Sequence, residues 1–230
     1  MLKKSLLILA LLIFISGGIF ALPKFTVSAG IGTYFTSDFG GGLEFQYDKP
    51  PYGAVKFSIT ESYFGGGGFL FLDVTYIEIS AGFFYVPGKM NIKSYEEGIG
   101  IDFQGFGIDS SIFLKYPFII NDRAAVFPLL GICYRAFIST EVKTEGSDTE
   151  SRLMESIFDG LNVIWFKAGA GFDYSFGGSV FLRAEFLYGI RYLNGFESDI
   201  LDYFKMMGTV GEKTLPGHGL EVKLAIGFRL

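Results

Sequence analysis

The chain has 230 residues, half of them apolar, with 27 Phe, 32 Gly, one Cys, one His and a formal charge of −5. An acidic balance argues against a nucleic-acid partner, and one His with one Cys leaves no metal-ligand cluster and no expected cofactor. Cys133 has no second thiol to pair with, so an internal disulfide is excluded.

The N-terminus carries Lys3 and Lys4, then an apolar run from Leu6 to Phe20 eased by Ser16, Gly17 and Gly18, then Ala21. This reads as a secretory signal peptide over residues 1–21, with the mature chain from 22 to 230. The run is short for a transmembrane anchor, which needs about 20 apolar residues. Losing Lys3 and Lys4 leaves 17 basic against 24 acidic residues, a charge of −7. No Cys lies near the cleavage region, which excludes a lipid-anchored lipoprotein. Beyond the signal no apolar run reaches spanning length, so the apolar surplus must be spread over alternating strands.

Eight such segments follow in order. The first runs from Phe25 to Phe35, with Phe25, Val27, Ala29 and Ile31 on one face and Thr26, Ser28, Gly30 and Gly32 on the other. The others are Tyr63–Leu72, Tyr76–Val86, Ile101–Tyr116, Arg123–Thr140, Asn162–Phe176, Ser179–Leu193 and His218–Leu230. Short links are expected at Asp73–Thr75, Phe118–Asp122 and Gly177-Gly178. Long polar links are expected at Thr36–Ser62, Pro87–Gly100, Glu141–Leu161 and Asn194–Gly217. Alternating short and long links predict an all-β, transmembrane, antiparallel up-and-down barrel with short periplasmic turns and long extracellular loops.

Two arrangements fit the first long link. Phe39–Tyr47 and Val55–Ile59 alternate like strands around Pro50-Pro51. They make either two further membrane strands, giving ten, or a hairpin that extends an eight-stranded sheet above the membrane. Eight is the expectation, because ten leaves the strand after Gly65–Gly68 short. Elsewhere Ile200, Phe204 and Met207 after Ser198, and the weaker set Leu153, Met154, Ile157 and Phe158, have helical spacing that predicts short amphipathic helices over the barrel mouth.

Trp165, Phe166, Phe172, Tyr174, Tyr188 and Tyr192 lie near strand ends, where aromatic girdles meet the membrane interfaces. The alternation sends Glu78, Asp109, Lys115, Arg135, Lys167, Asp173, Arg183, Glu185, Arg191, Glu221, Lys223 and Arg229 inward. The periplasmic half takes Arg183, Glu185, Asp173, Lys115, Glu78 and Arg229. Arg135, Lys167, Arg191, Glu221 and Lys223 take the outer half, with Asp109 between. An eight-stranded barrel is just wide enough for side chains to fill it, so these charges either pair into a structural plug or form a gate. In a gate, the basic excess of the outer half opens a narrow, weakly anion-preferring path.

The only histidine, His218, has Leu220 where lipid-deacylating barrels have a Ser, and a loop or interface role is expected for it. The glycine strings Gly40–Gly42 and Gly65–Gly68 lack the Lys and Ser/Thr of a phosphate loop. No enzymatic activity is expected.

The last strand alternates Leu220, Val222, Leu224, Ile226, Phe228 and Leu230 with Glu221, Lys223, Ala225, Gly227 and Arg229. It resembles the terminal strand of small bacterial outer-membrane barrels of the OmpA, OmpX and OmpW kinds. The resemblance implies that Val222, Leu224, Ile226, Phe228 and Leu230 form the signal read by the barrel-insertion machinery, although Leu230 replaces the aromatic residue usual there. Five phrases resemble small outer-membrane barrels of spirochaetes: DFGGG (38–42), YFGGGGF (63–69), KYPF (115–118), FPLLGICYR (127–135) and FLRAEFLYGIRY (181–192). They imply location in the cell outer membrane, with its lipid as a partner, and imply no activity.

A soluble lipocalin-like barrel is the competing fold; it would be apolar inside and charged outside. The function expected is a non-enzymatic integral outer-membrane barrel that anchors surface loops for membrane integrity or contact with an extracellular ligand or surface partner. The alternative is a narrow channel or transporter of the OmpW kind, for small or hydrophobic solutes.

Overall fold

A computed structural model of the chain describes residues 25–49, 53–94, 97–143, 162–192 and 209–230. The expected leader over residues 1–21 and the two expected helices fall outside them. The strands are β1 (Val27–Lys49), β2 (Gly53–Val74), β3 (Ile77–Ser94), β4 (Glu97–Lys115) and β5 (Phe118–Asn121). They continue with β6 (Ala124–Lys143), β7 (Asn162–Gly177), β8 (Val180–Tyr192), β9 (Thr209–Leu215) and β10 (Gly217–Arg229).

These make eight staves. β4 and β5 are one stave interrupted at Pro117, and β9 and β10 are one stave interrupted at Pro216, since proline has no N–H to give to a ladder. Every neighbouring pair is antiparallel, and β10 returns to pair with β1 from Ser28↔Arg229 to Phe39↔His218, which closes the barrel and removes the sheet edges over that span.

Three tight turns lie at the end that also holds Phe25 and Leu230. At Thr75, whose φ is +43°, the hydroxyl accepts the Thr26 N–H at 2.7 Å and donates to the Thr26 carbonyl at 3.1 Å. The Asn121 side-chain oxygen accepts the N–H groups of Arg123 and Ala124, each at 2.9 Å. Gly177 and Gly178 take φ of +109° and +65°, open to glycine without strain, and turn β7 into β8.

The staves run further than the sequence suggested. Of the two arrangements, Phe39–Tyr47 and Val55–Ile59 take the hairpin that extends the eight-stranded sheet, not that of two extra membrane strands. They are the far halves of β1 and β2, paired from Gly41↔Glu61 to Lys49↔Gly53 beyond a bulge at Gly40. Likewise β3 and β4 pair out to Ser94↔Glu97, and β9 occupies part of the expected link Asn194–Gly217. The sequence reading ended strands where the outward face turned polar, yet a ladder persists as long as both partners continue.

The outward face shows where the apolar medium lies. On β3, Ile77, Ile79, Phe83 and Tyr85 point outward and are exposed, and Pro87, Lys89 and Lys93 follow them. On β4, Leu114, Ile112, Ile108 and Phe106 give way to Gln104 and Asp102. Ile77 to Tyr85 is nine residues, the length of a tilted membrane strand, and matches an apolar band about 25 Å tall. A lipocalin is excluded, because charges point in and large apolar side chains point out. The chain is a transmembrane β-barrel.

Beyond the belt the polarity inverts. The inward positions become Val86, Met90, Ile101, Phe103, Phe137 and Val142, all buried in one cluster, while the outward ones are polar. The far halves of β3, β4 and β6 thus turn an apolar face inward and a polar one outward, continuing from a membrane segment whose inward face is charged.

Within the belt, rings fill the lumen because the neighbouring strand has no side chain there. Gly30 faces Phe71, Gly32 faces Phe69, Gly107 faces Phe84, Gly131 faces Phe113, Gly171 faces Phe127 and Gly227 faces Phe181, each as a cross-strand pair. A Cβ added at any of these glycines would collide with the ring. Alternating large and small inward residues is how a small barrel is packed solid.

Candidate functional site

Period-two alternation on all eight staves projects a column of ionised side chains into the lumen, and the register stacks them in connected layers. Nearest the turn end, Arg183 on β8 donates to Asp73 and Glu78 at 2.5 Å each and to both oxygens of Asp173 at 2.7 Å. Lys115 pairs with the same Asp73. The Arg183 guanidinium lies 4.7 Å from the Phe71 ring centre and 5.2 Å from that of Phe181, and Lys115 lies 4.5 Å from that of Phe127. Weakly hydrated faces of a guanidinium sit well on such rings.

One level on, Glu185 lies 4.0 Å from Arg183 and 3.8 Å from Lys223, and Lys223 lies 3.9 Å from Glu221. Lys223 therefore bridges two layers from between the rings of Phe69 and Phe113, at 5.1 and 4.9 Å. Glu221 next takes Lys167 at 2.6 Å and Arg135 at 3.3 Å. Arg135 reaches the Tyr63 hydroxyl at 3.2 Å and Asp109 at 3.9 Å, and the Tyr34 hydroxyl donates to Asp109 at 2.5 Å. At the far edge of the belt Arg191 pairs with Asp38 at 3.0 Å and with Glu61.

Eleven of the twelve inward charges named from the sequence stand in this column. The twelfth, Arg229, is exposed at the mouth of the turn end against the Phe181 ring. Lys223, placed in the outer half by strand counting, lies at the junction of the halves. Three carboxylates were missed: Asp38 and Glu61 lay in an expected loop, and Asp73 in an expected turn. Each keeps the parity of its strand, since Tyr34, Thr36 and Asp38 alternate inward, as do Phe69, Phe71 and Asp73. With them the column holds eight carboxylates and six buried cations, and the basic excess proposed for the outer half disappears.

Burying so many charges is tolerated because each finds an opposite charge in reach. Removing one member of such a pair costs about 3–5 kcal/mol, as its partner is left uncompensated. Chemically the column is an array of paired charges. Among the described residues no group of three or more His, Cys, Asp or Glu side chains is arranged to hold a metal ion.

The aromatic girdle needs one correction. Phe166, Phe172, Tyr174 and Tyr188 face outward, but Trp165 is 2% exposed and points into the lumen, over Gly189 and Gly219. Adjacent residues on a strand take opposite faces, so Trp165 and Phe166 cannot share one. The side chain of Tyr192 lies outside the described ones. His218 faces outward at the far edge of the belt, its Nδ1 2.6 Å from the Tyr188 hydroxyl and its ring stacked on that tyrosine at 6.0 Å. Val222, Leu224, Ile226 and Phe228 line the outward face of β10, with Leu230 just past its end.

No family model matches the chain, and no curated protein matches its sequence. In structure it is similar to the outer membrane protein OprG from Pseudomonas aeruginosa, at 11% identity and a TM-score of 0.47, covering 91% of this chain and 98% of that one. It is also similar to Neisserial surface protein A, at 16% identity and a TM-score of 0.32, covering 86% of this chain and 97% of that one. The barrel closes through its own hydrogen-bond register between β10 and β1.

Proposed function

We propose that the chain is a non-enzymatic, integral outer-membrane protein whose barrel is sealed and serves to hold the far halves of β1 to β4 and β6 at the cell surface. The carrying observation is the ion pairing that fills the lumen, one connected set from Lys115 and Asp73 to Arg135 and Asp109 and a second of Arg191 with Asp38 and Glu61, packed among inward rings. Export through the leader at residues 1–21 and insertion guided by Val222, Leu224, Ile226, Phe228 and Leu230 belong to the same reading. So does the orientation, with the tight turns in the periplasm and the long hairpins outside. The sidedness of the outward belt and the inverted polarity beyond it support it.

The test is conductance of the refolded mature chain in a planar lipid bilayer, combined with protease treatment of intact cells. A sealed anchor gives no conductance steps, and protease trims the far hairpins while the belt survives. Reproducible steps, or digestion of the belt strands, would overturn it.

One observation favours a narrow channel as the second reading. Lys223 stands at nearly equal distances from Glu185 and Glu221, so a small shift exchanges one partner for the other and separates the layers. Steps in the same bilayer experiment that vanish in Lys223→Met would select this reading.

A further inference from the structure

Where the apolar belt ends on β2, β3 and β4, the outward face carries an open hollow of about 530 Å³ whose lining mixes a ring with polar groups. Two outward rows frame it. One is Ser62, Lys89 and Asp102, cross-strand partners in turn, with Lys89 Nζ 3.7 Å from Asp102 Oδ1. The other is Phe64, Pro87 and Gln104, one repeat nearer the belt, whose last aromatic row is Tyr85 and Phe106. Two interstrand spacings make the hollow about 10 Å across.

The floor of the hollow holds a break in the ladder. β2 and β3 pair at Tyr63↔Gly88 and again at Gly66↔Tyr85, but skip Phe64 against Pro87 and Gly65 against Val86. Pro87 keeps its rung to Gln104 on β4, so its nitrogen is turned toward β2, where it has no hydrogen to give the Phe64 carbonyl. Both skipped rungs depend on that one bond. The sheet therefore leaves the Phe64 carbonyl as an acceptor, beside an exposed ring, in the lining of the hollow.

The lining selects a ligand by its hydrogen-bonding pattern. The Phe64 carbonyl and Asp102 accept, Lys89 donates, and Ser62 and Gln104 do both. Lys89 and Asp102 cancel in charge, and a phosphate, which only accepts, would face the Asp102 carboxylate and leave the Phe64 carbonyl unmatched. A ring of hydroxyls, each both donor and acceptor, satisfies all five and lays its C–H face on Phe64. We infer that the hollow seats the uncharged sugar headgroup of a glycolipid in the surface-side leaflet, its acyl chains running down the belt past Tyr85. This rests on the membrane reading above and its sidedness. Position argues for a lipid source, since the hollow starts at the aromatic row where headgroups meet their chains.

The experiment is native mass spectrometry of the mature chain released from phosphatidylethanolamine nanodiscs that contain monogalactosyl diacylglycerol. The wild-type barrel retains one glycolipid at activation energies that strip the phospholipid, and it does not retain diacylglycerol with the same chains. Asp102→Ala lowers the retention severalfold. Pro87→Ala, which returns an N–H to the Phe64 carbonyl and mends the ladder, lowers it as well, while Lys93→Ala, outside the hollow, leaves it unchanged. Heat-dependent gel mobility reports that each variant is folded. Equal retention of glycolipid and diacylglycerol, unchanged retention in Asp102→Ala and Pro87→Ala, or equal loss in Lys93→Ala would overturn the proposal. Preference for phosphatidylglycerol would overturn it in favour of an anionic headgroup, and binding of free methyl β-galactoside as tight as that of the glycolipid would assign the hollow to a soluble glycan. Failure of the wild-type chain to enter nanodiscs would instead overturn the membrane reading beneath it.

Discussion

Arg183 and Asp73, 110 residues apart in the chain, meet at 2.5 Å inside the barrel. Arg183 also takes Glu78 and Asp173, so one guanidinium ties β8 to β2, β3 and β7. Deleting it strips a cation from Asp73, Glu78 and Asp173, leaving Lys115 on Asp73 and Lys223 one level away. Arg183→Ala should lose about 3–5 kcal/mol in reversible urea unfolding of the refolded barrel. If this layer is also the seal, the same variant gains conductance in planar bilayers; an unchanged current in a folded variant removes the layer from any gating role.

The sidedness of β7 can be read optically, because Trp165 is the only tryptophan. Its ring lies in the lumen, 5.9 Å from the Lys167 ammonium, so acyl chains brominated at mid-chain should leave its fluorescence nearly untouched. Moving the probe one residue, as Trp165→Phe with Phe166→Trp, should place it in lipid and give strong quenching. Equal quenching at the two positions would contradict the alternation on which the lumen assignment depends.

The glycine and ring pairs predict specific epistasis. Gly32→Val should force the Phe69 ring out of place and cost about 1–3 kcal/mol. Joined with Phe69→Ala, part of that cost returns, with a coupling of about 0.5–3 kcal/mol in a double-mutant cycle. Strict additivity in the urea midpoints would show that the pair does not share space.

Topology is testable on whole cells, since the native Cys133 is buried and slow to react. Lys93→Cys, on the outward face of β3 beyond the belt, should label with a membrane-impermeant maleimide on intact cells. Arg123→Cys, in a turn at the other end, should label only after the outer membrane is opened. The reverse pattern would invert the barrel in the membrane.

Much of this arrangement is legible from alternation alone. A strand in a barrel has one inward face throughout, so Arg183 and Glu185, or Glu221 and Lys223, announce their direction once the strand is recognised. What is not legible is where a strand ends. Polar outward residues such as Lys89 and Lys93 look like loop when only the membrane is considered. They belong to sheet that has left the membrane, and Asp38 and Glu61 were lost with that misjudged boundary. Trp165 misled for a different reason: type suggested an interface, whereas its parity with Lys167 already placed it inside. The pairing of Arg183 with Asp73 lies beyond one-dimensional reading, because it depends on shear between strands far apart in the chain.

The reversal of polarity between Tyr85 and Pro87 gives the molecule a waterline. Sinking by one inward-outward repeat, about 5 Å along the membrane normal for a tilted strand, would carry Pro87 and Gln104 into hydrocarbon and bring Lys89 and Asp102 to its edge. Rising by the same step would leave Tyr85 and Phe106 dry of lipid at one rim and pull the other rim's Tyr76 into the acyl chains. Both errors are resisted by the same residues, so draught is fixed from within the chain, and a bilayer of the wrong thickness must bend to the protein.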